Sequence, residues 1–431
     1  MSAPRTSMVA VTGPLVAATE FPQESGFDQS ASLLAEGYRY MPNRFQRHGS
    51  DVFQATLMAR RATCVMGEDA ARMFYEPGRF TRRGALPPTT VMLLQDYGSV
   101  MTLDGEAHRV RKAMYMSLMT PEHMQQLYEL VTDAWHTRLH RWIDADSVVL
   151  HDEAQRVLCR AAAEWVGIDM SDDEVETRTE EFAAMIEGSA SVGPRNWRGM
   201  ILRHRTERWA SGLIEDVRAN RIDPPAGSAL DVIATHRDAD GEEMSAEVGA
   251  VELINFLRPT IAVARYLAFG ALALHQHPQY RDAVAAGGDA ALEVVQEVRR
   301  FYPFIPAMGG VALAPFEWRG HRFDEGDWVL LDLYGTNHDP RLWEQPNRFR
   351  PERFTGWQGN AHTLIPSGGG DFHTNHRCPG EWITIGIIKT LLGLYVSSMR
   401  CEVPRQNFWI DLGRVPALPA SGFVVSNVTP H

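Results

Sequence analysis

The sequence lacks most features of a disulfide-bonded or membrane-spanning protein. Its four cysteines are scattered, with no Cys-x-x-Cys pair and no regular spacing, which favours a reducing, cytoplasmic environment. No apolar run approaches the roughly 20 residues that a spanning helix needs, so the protein is not expected to span a membrane. Basic residues are outnumbered by acidic ones, and the net charge of −12 argues against nucleic acid or an anionic membrane as the main partner.

Strand-like segments are also scarce. They do not alternate with helices, so the sequence does not predict a doubly wound sheet. Helical periodicity dominates instead. Apolar residues recur at three- and four-residue spacing in segments 121–142, 150–167, 173–190, 197–220, 246–276 and 289–302. The candidate strands are 57–66, 311–331 (with a turn at Arg319-Gly320) and 420–427. The sequence therefore predicts one mainly α domain with a minor β portion over residues 27–431, after a loosely ordered arm over residues 1–26.

One cysteine stands in a context that favours metal binding. Cys378 follows a glycine-rich loop, in IPSGGGDFHTNHRCPGEWITIG, and precedes an apolar helix that we expect to begin near Glu381. The free amides and dipole of a helix N-terminus favour a thiolate, which is the form that binds metal. A lone cysteine is more often buried and inert, so this interpretation depends on the neighbouring motifs.

Three further motifs occur in a fixed order. Glu297 and Arg300 are three residues apart, residues 349–354 read FRPERF, and residues 376–380 read HRCPG. Together they resemble the cytochrome P450 superfamily. The resemblance implies a haem b between a long central helix and the cysteine-loop helix, with Cys378 as the axial ligand of the iron. It also implies that Glu297, Arg300 and Arg353 form a structural ion-pair network.

The same resemblance predicts which side chains hold the haem propionates. Residues 104–112 read DGEAHRVRK and place His108 and Lys112 on a helix that provides basic side chains to the propionates in cytochromes P450. Arg82 and Arg377 are the further predicted partners. The alternative is a basic helix face that is merely solvated.

The stretch LRPTIAVA places Arg258 and Pro259 inside the long helical segment 246–276. Proline in a helix interior costs roughly 3 kcal/mol, and a buried guanidinium needs an anion. No acid lies three or four residues from Arg258, although a snorkelling side chain or a long-range salt bridge is an alternative. Most cytochromes P450 carry an acid followed by Thr here, and Thr260 would replace that pair only if the helix register shifted by one residue.

This narrower pattern resembles the bacterial fatty-acid peroxygenase family of cytochromes P450 from about residue 27 to 426. It is carried by GFDQSASLLAEGY, SLMTPEH, VGPRNW, ELINFLRP, QEVRRFYPF, LLDLYGTNHDPRLW, LPASGFV and the long GGGDFHTNHRCPG loop. The resemblance implies that a long-chain fatty acid binds Arg258 through its carboxylate, next to Pro259, and is oxidised at the alpha and beta carbons. Hydrogen peroxide would be the co-substrate, without an obligatory redox partner, and loss of carbon dioxide would give a terminal alkene. The alternatives are a reductase-dependent monooxygenase and a non-catalytic haem sensor.

Two more residues are assigned to the substrate by this resemblance. Val192, in VGPRNW, is a predicted substrate-binding residue. Met101, in VMTLDG, stands where relatives often carry glutamine or histidine, and a thioether cannot donate the hydrogen bond that those side chains provide. A methionine that only fills the pocket wall is an equally acceptable interpretation. Either way, we expect hydroxylation to exceed decarboxylation.

Overall fold

The computed structural model describes residues 19–431. The α-helices are α1 (Ser30–Glu36), α2 (Tyr40–His48), α3 (Glu68–Phe74), α4 (Pro88–Leu94), α5 (Gly105–Ser117), α6 (Pro121–Ile143), α7 (Leu150–Val166), α8 (Asp172–Gly188), α9 (Pro194–Arg218), α10 (Ala229–Thr235), α11 (Ala246–Ala262), α12 (Ala264–Gln276), α13 (Arg281–Ala286), α14 (Gly288–Phe301), α15 (Leu333–Asn337) and α16 (Glu381–Ser397). The six helices expected from periodicity are therefore confirmed to within a few residues, except that the segment 246–276 forms two helices.

The strands are short and form three small sheets. They are β1 (Val52–Leu57), β2 (Arg60–Val65), β3 (Phe80–Thr81), β4 (Ser147–Val149), β5 (Ala307–Ala312), β6 (Phe316–Trp318), β7 (His321–Phe323), β8 (Trp328–Asp332), β9 (Met399–Glu402) and β10 (Val424–Pro430). The sheet orders are β1-β2-β8-β5-β3, β4-β10-β9 and β6-β7. The strand β2 pairs with β8 in parallel, and the other named pairs are antiparallel.

The predicted strand 57–66 is wrong at its start. Residues Met58 and Ala59 have φ values of 52° and 56°, so they form a hairpin turn between β1 and β2, and β1 ends at Leu57. The predicted turn at Arg319-Gly320 is confirmed, because it joins β6 to β7. The predicted strand 420–427 begins later and forms β10.

The predicted arm covers residues 1–26, and its residues 1–18 lie outside the described residues. From Thr19 onward the chain is hydrogen-bonded to the body of the protein. The Thr19 N–H donates to the Gly320 carbonyl at 2.9 Å, and the Gln54 N–H donates to the Pro22 carbonyl at 2.8 Å. The Phe21 ring also stacks on His321 with ring centres 4.6 Å apart.

The main core surrounds the paired helices α11 and α12. Both pack on α7, while α11 also packs on α9 and α12 on α16. Ser245 caps α11 by accepting from the Val248 N–H. A Cβ on Gly270 would lie 2.6 Å from a Leu392 methyl, so glycine is required for α12 to approach α16 this closely. Among residues 19–431, the stretch Ala246–Gln276 alone is long and apolar enough to cross a membrane, but 94% of its most apolar window is buried in the protein, as in a core helix.

An ion-pair network behind the cysteine loop joins α14 to the loop that follows α15. The Arg300 guanidinium donates to both oxygens of Glu297 at 2.7 and 2.8 Å, and Arg353 Nε lies 3.1 Å from the same carboxylate. The Arg350 N–H also donates to Glu297 at 2.8 Å. This arrangement confirms the predicted structural network.

We expect Glu297→Gln to destabilise the protein by about 3–5 kcal/mol, because Glu297 is completely buried and its loss leaves arginine charge uncompensated. Urea unfolding of the haem-loaded protein measures this. The control is Glu243→Gln, which removes an exposed pair with Arg237 and should change stability by less than about 1 kcal/mol. Equal effects of the two substitutions would contradict a structural role for Glu297.

Candidate active site

The Cys378 side chain lies between the glycine-rich loop and the start of α16. This helix begins at Glu381, which confirms the predicted helix boundary. Burial raises the pKa of the Cys378 thiol, while the positive charge of Lys112 and a hydrogen bond from the Gly380 backbone lower it. Within residues 19–431, no group of three or more His, Cys, Asp and Glu side chains could hold a metal ion. The charge of Lys112 and the Gly380 hydrogen bond favour the thiolate, which is the form of cysteine that binds metal.

Buried basic side chains gather near this cysteine. His108 and Lys112 come from α5, and the His108 ring lies 4.1 Å from that of His376. Burial, followed by the charge of Lys112, lowers the pKa of His108 to about 4. Burial also lowers the pKa of Lys112 to about 8, although the nearby Cys378 opposes this. Burial is the main cause of both shifts, because it disfavours the charged form of each side chain.

Several polar atoms in this cluster have no hydrogen-bond partner among the described residues. They are His108 Nε2, His376 Nδ1 and Arg82 Nε. The Arg82 guanidinium otherwise donates to the Gly309 carbonyl at 2.6 Å. Buried polar atoms are rarely left unpaired in a finished structure, so this cluster has the chemistry of a site for an anionic ligand.

The Arg377 guanidinium is committed elsewhere. It donates to Glu381 at 2.8 Å and to the Gly370 carbonyl at 3.0 Å, and it lies 3.8 Å above the Phe372 ring. The neighbouring residue, His376, lies in the basic cluster instead, and the sequence analysis did not identify it. The available signal was its place two residues before the cysteine, in HRCPG.

Arg258 is 8% exposed and has no carboxylate within ion-pair distance among the described residues. Its guanidinium donates to the Leu94 carbonyl and to Asn255 Oδ1 at 3.3 Å, while its Nε has no partner there. Burial, reinforced by the positive charge of Arg203, lowers the pKa of Arg258 to about 9. The charge of Cys378 opposes this shift, so Arg258 and the cysteine share one electrostatic environment.

The helix interruption lies beyond the proline. The predicted continuous helix is interrupted at Val263, four residues after Pro259, which itself remains inside α11. The Val263 N–H donates to the Thr260 carbonyl at 3.2 Å, which is the tighter hydrogen-bond pattern of a 3₁₀ turn. The Thr260 hydroxyl donates to the Phe256 carbonyl at 2.8 Å, so it is engaged within its own helix.

Three polar side chains on one face of α11 hold the segment 94–100. Arg258 binds the Leu94 carbonyl, Asn255 donates to the Gln95 carbonyl at 3.0 Å, and the Glu252 carboxylate accepts from the Val100 N–H at 2.8 Å. The adjoining 3₁₀ turn, Val100–Thr102, carries Met101. The segment that includes this residue is thus fixed to the helix that bears Arg258.

The completely buried Glu252 has two further donors. Arg111 Nη1 lies 2.6 Å from it, and the Tyr115 hydroxyl lies 2.6 Å away. Val192, in contrast, is 72% exposed. The structure therefore places Arg258 and Pro259 on α11 and holds the turn that carries Met101 against the same helix, and it leaves Val192 on the surface outside this buried group.

Comparisons with known proteins agree with this geometry. The family model "Cytochrome P450" matches residues 291–419. The putative cytochrome P450 137 of Mycobacterium tuberculosis is 29% identical over 185 residues, which cover 41% of this chain and 38% of that protein. The putative cytochrome P450 135B1 of Mycobacterium bovis is 24% identical over 404 residues, covering 86% and 83%. The chain thus spans well under half the length of the first of these curated relatives.

Solved structures match along nearly the whole chain. Cytochrome P450SP alpha (CYP152B1), as a variant, is 43% identical with a TM-score of 0.92, over 94% of this chain and 100% of that one. Cytochrome P450EX alpha (CYP152N1) with myristic acid is 39% identical with a TM-score of 0.92, over 96% and 100%. An OleT variant with arachidonic acid is 34% identical with a TM-score of 0.93, over 96% and 99%.

The chain belongs to the fatty-acid peroxygenase family of cytochromes P450. It has the cytochrome P450 fold, and as a member of this family it is a haem-containing oxidoreductase. The predicted fold class and family are therefore confirmed. The roles assigned to individual site residues stay predictions.

We expect Arg258→Leu to make the haem-loaded protein more stable by about 1–4 kcal/mol in the absence of fatty acid, because an uncompensated buried charge is replaced by an apolar side chain. Thermal unfolding with and without myristate measures this. Myristate should stabilise the wild type but not the leucine variant. Arg258→Lys, which keeps the charge, is the control and should not gain stability. A leucine variant that is less stable than the wild type would contradict an unpaired guanidinium.

Proposed function

We propose that the protein oxidises long-chain fatty acids with hydrogen peroxide at the alpha and beta carbons, giving hydroxy acids as main products and terminal alkenes as lesser ones. The observation that carries this proposal is the buried Arg258 guanidinium, which has no carboxylate partner among the described residues. The complexes of two family members with myristic and arachidonic acids support a fatty acid as its partner.

The residues present fit a haem. Cys378 would bind its iron, and the unpartnered nitrogen atoms of His108, His376 and Arg82 would donate to its two propionates, which are the anions that the basic cluster lacks. Lys112 would contribute further positive charge. Arg377 would act indirectly, because its guanidinium is held by Glu381 while its carbonyl accepts from Lys112. A haem with a thiolate ligand, when bound, supplies the activation of peroxide for oxygen insertion.

Arg258 binds the substrate carboxylate through the paired donors of its guanidinium fork. A carboxylate fixed at this point keeps the alpha and beta carbons nearest to the anchor, so oxidation is directed to them. The same carboxylate moves the protons of hydrogen peroxide as a general acid and base. Neither Pro259 nor Thr260 serves this purpose, because Pro259 has no polar side chain and the Thr260 hydroxyl is bound to the Phe256 carbonyl.

Pro259 contributes by removing one backbone donor from α11. The Asn255 carbonyl, four residues earlier, therefore has no helical partner. The side chain of the same Asn255 accepts from Arg258 and donates to the Gln95 carbonyl, so the guanidinium is oriented by a side chain that carries no charge. A neutral partner orients the cation without neutralising it, which leaves its charge for the substrate.

We propose that this reaction takes place in the cytoplasm and that it proceeds without a reductase. The Cys64 and Cys159 thiols are buried and free, and burial raises their pKa values, which keeps them inert. Peroxide provides both oxygen and oxidising equivalents, so no electron donor is required by the proposed chemistry.

We expect purified haem-loaded protein to convert myristate to hydroxy acids with hydrogen peroxide and no reductase. Arg258→Leu should reduce this turnover by at least about 100-fold, because anchor and proton carrier are lost together. Adding a short carboxylic acid to the wild type should allow oxidation of substrates that carry no carboxylate. The measurement is product analysis by gas chromatography, with haem content checked for each variant. Turnover that needs a reductase, or a fully active leucine variant, would contradict the proposal.

We expect Met101→His to raise the ratio of alkene to hydroxy acid above that of the wild type. Methionine sulfur is at best a weak acceptor, whereas histidine donates a hydrogen bond near the substrate carboxylate. Met101→Leu is the matched control, because it keeps the size without the sulfur, and it should leave the ratio unchanged. Alkene as the main wild-type product would refute the assigned role of Met101.

A further inference from the structure

Three apolar side chains lie exposed in a row where α9 begins. Val192 is 72% exposed, Trp197 is 64% exposed and Ile201 is 70% exposed. Val192 immediately precedes the N-cap Gly193, and residues at this position and at the fourth helical position are neighbours. Trp197 and Ile201 are four residues apart, so they share a helix face. The three side chains therefore form one continuous apolar strip.

Basic side chains continue the same face. His204, Arg205 and Arg208 are exposed, and they follow Trp197 or Ile201 at spacings of three, four or seven residues, which places them on the same side of α9. Arg198 is exposed as well, and it lies three residues before Ile201 on the same side of the helix. We call this surface the α9 face, defined by Val192, Trp197, Arg198, Ile201, His204, Arg205 and Arg208.

Part of this charge is neutralised by α8. Arg205 Nε lies 3.0 Å from Glu181, and Arg198 lies 2.5 Å from Glu180. Arg208 has no ion pair among the described residues. The α9 face therefore keeps the unpaired positive charge of Arg208, with His204 beside it, although the net charge of the whole chain is −12.

We propose that the α9 face docks the protein on the surface of an anionic lipid bilayer. Tryptophan and isoleucine can enter the boundary between headgroups and acyl chains, while arginines beside them contact lipid phosphates. Because the remainder of the chain is acidic, the interaction is reversible and sensitive to salt. An acidic partner protein is less well matched, because three side chains that are exposed to this extent suit a deformable surface that they can enter.

The α9 face is connected to the proposed fatty-acid anchor through one layer of structure. A Cβ on Gly199 would lie 2.9 Å from the Ala184 carbonyl and 3.3 Å from Leu93, so α9 packs closely on α8 and on the end of α4. The next residue of α4, Leu94, provides the carbonyl that binds Arg258. Docking would thus bring the anchor segment close to the bilayer that holds fatty acids. This consequence rests on the proposed function, whereas the docking itself is independent of it.

The test is sedimentation of the haem-loaded protein with vesicles of phosphatidylcholine alone or of equimolar phosphatidylcholine and phosphatidylglycerol. We expect the wild type to bind only the anionic vesicles and to be released by high salt. The double substitution Trp197→Ser with Ile201→Ser should lower the vesicle-bound to free ratio by on the order of ten-fold. Arg208→Glu should lower it several-fold at low salt. Trp409→Ser, which removes a tryptophan that is 66% exposed elsewhere, is the matched control and should bind as the wild type does.

Absence of wild-type binding to anionic vesicles, equal binding to both vesicle types, or unchanged binding of the double variant would each overturn the proposal. A dimer that the double variant abolishes, in place of vesicle binding, would assign the α9 face to a second copy of the chain and also overturn it. Turnover of a short, soluble fatty acid without vesicles should be the same in the double variant and the wild type. Vesicle binding by a wild type that lacks this turnover would refute the proposed function alone.

Discussion

The buried charge of Arg258 is the constraint on which the site depends. A guanidinium keeps its proton in proteins, so its burial without an anion costs free energy that the protein alone does not recover. The structure provides only neutral acceptors for it, the Leu94 carbonyl and Asn255 Oδ1. An ordinary helix of a stable core would carry an apolar residue here. A carboxylate ligand can neutralise this charge, so the binding of such a ligand would also remove the free-energy cost of burying the guanidinium.

That constraint organises the structure around α11. Glu252, Asn255 and Arg258 are spaced three residues apart and bind successive parts of the segment 94–100. A shift of this segment relative to α11 would break all three contacts together. The turn that carries Met101 is therefore held at a fixed place relative to Arg258, and a substitution at Met101 leaves the three contacts that support this segment in place.

The long helices and the cysteine-loop boundary were accessible from the sequence because helical periodicity and turn residues are local signals. The five-stranded sheet was not, since β2 and β8 pair in parallel across more than 250 residues of chain, and a short strand such as β3 has no periodicity to detect. The proximity of His376 to the basic cluster, and the direction of the Arg377 side chain, were not accessible for a different reason. Both are basic, and only the fold reveals that Glu381 lies within reach of the arginine. Exposure of Val192 likewise depends on how α8 and α9 pack.

The distribution of charge in the fold follows one principle. The chain as a whole is acidic, yet Arg82, Lys112 and Arg258 are buried cations that have no carboxylate partner among the described residues. The counterions that we propose for them are carboxylates that arrive with ligands, two from the haem propionates and one from the fatty acid. Since each ligand binds the folded state and compensates charge that folding has buried, the stability of the fold is coupled to its occupancy. Under this proposal a ligand that lacks a carboxylate is disfavoured, because it leaves the buried charge of Arg258 without a counterion.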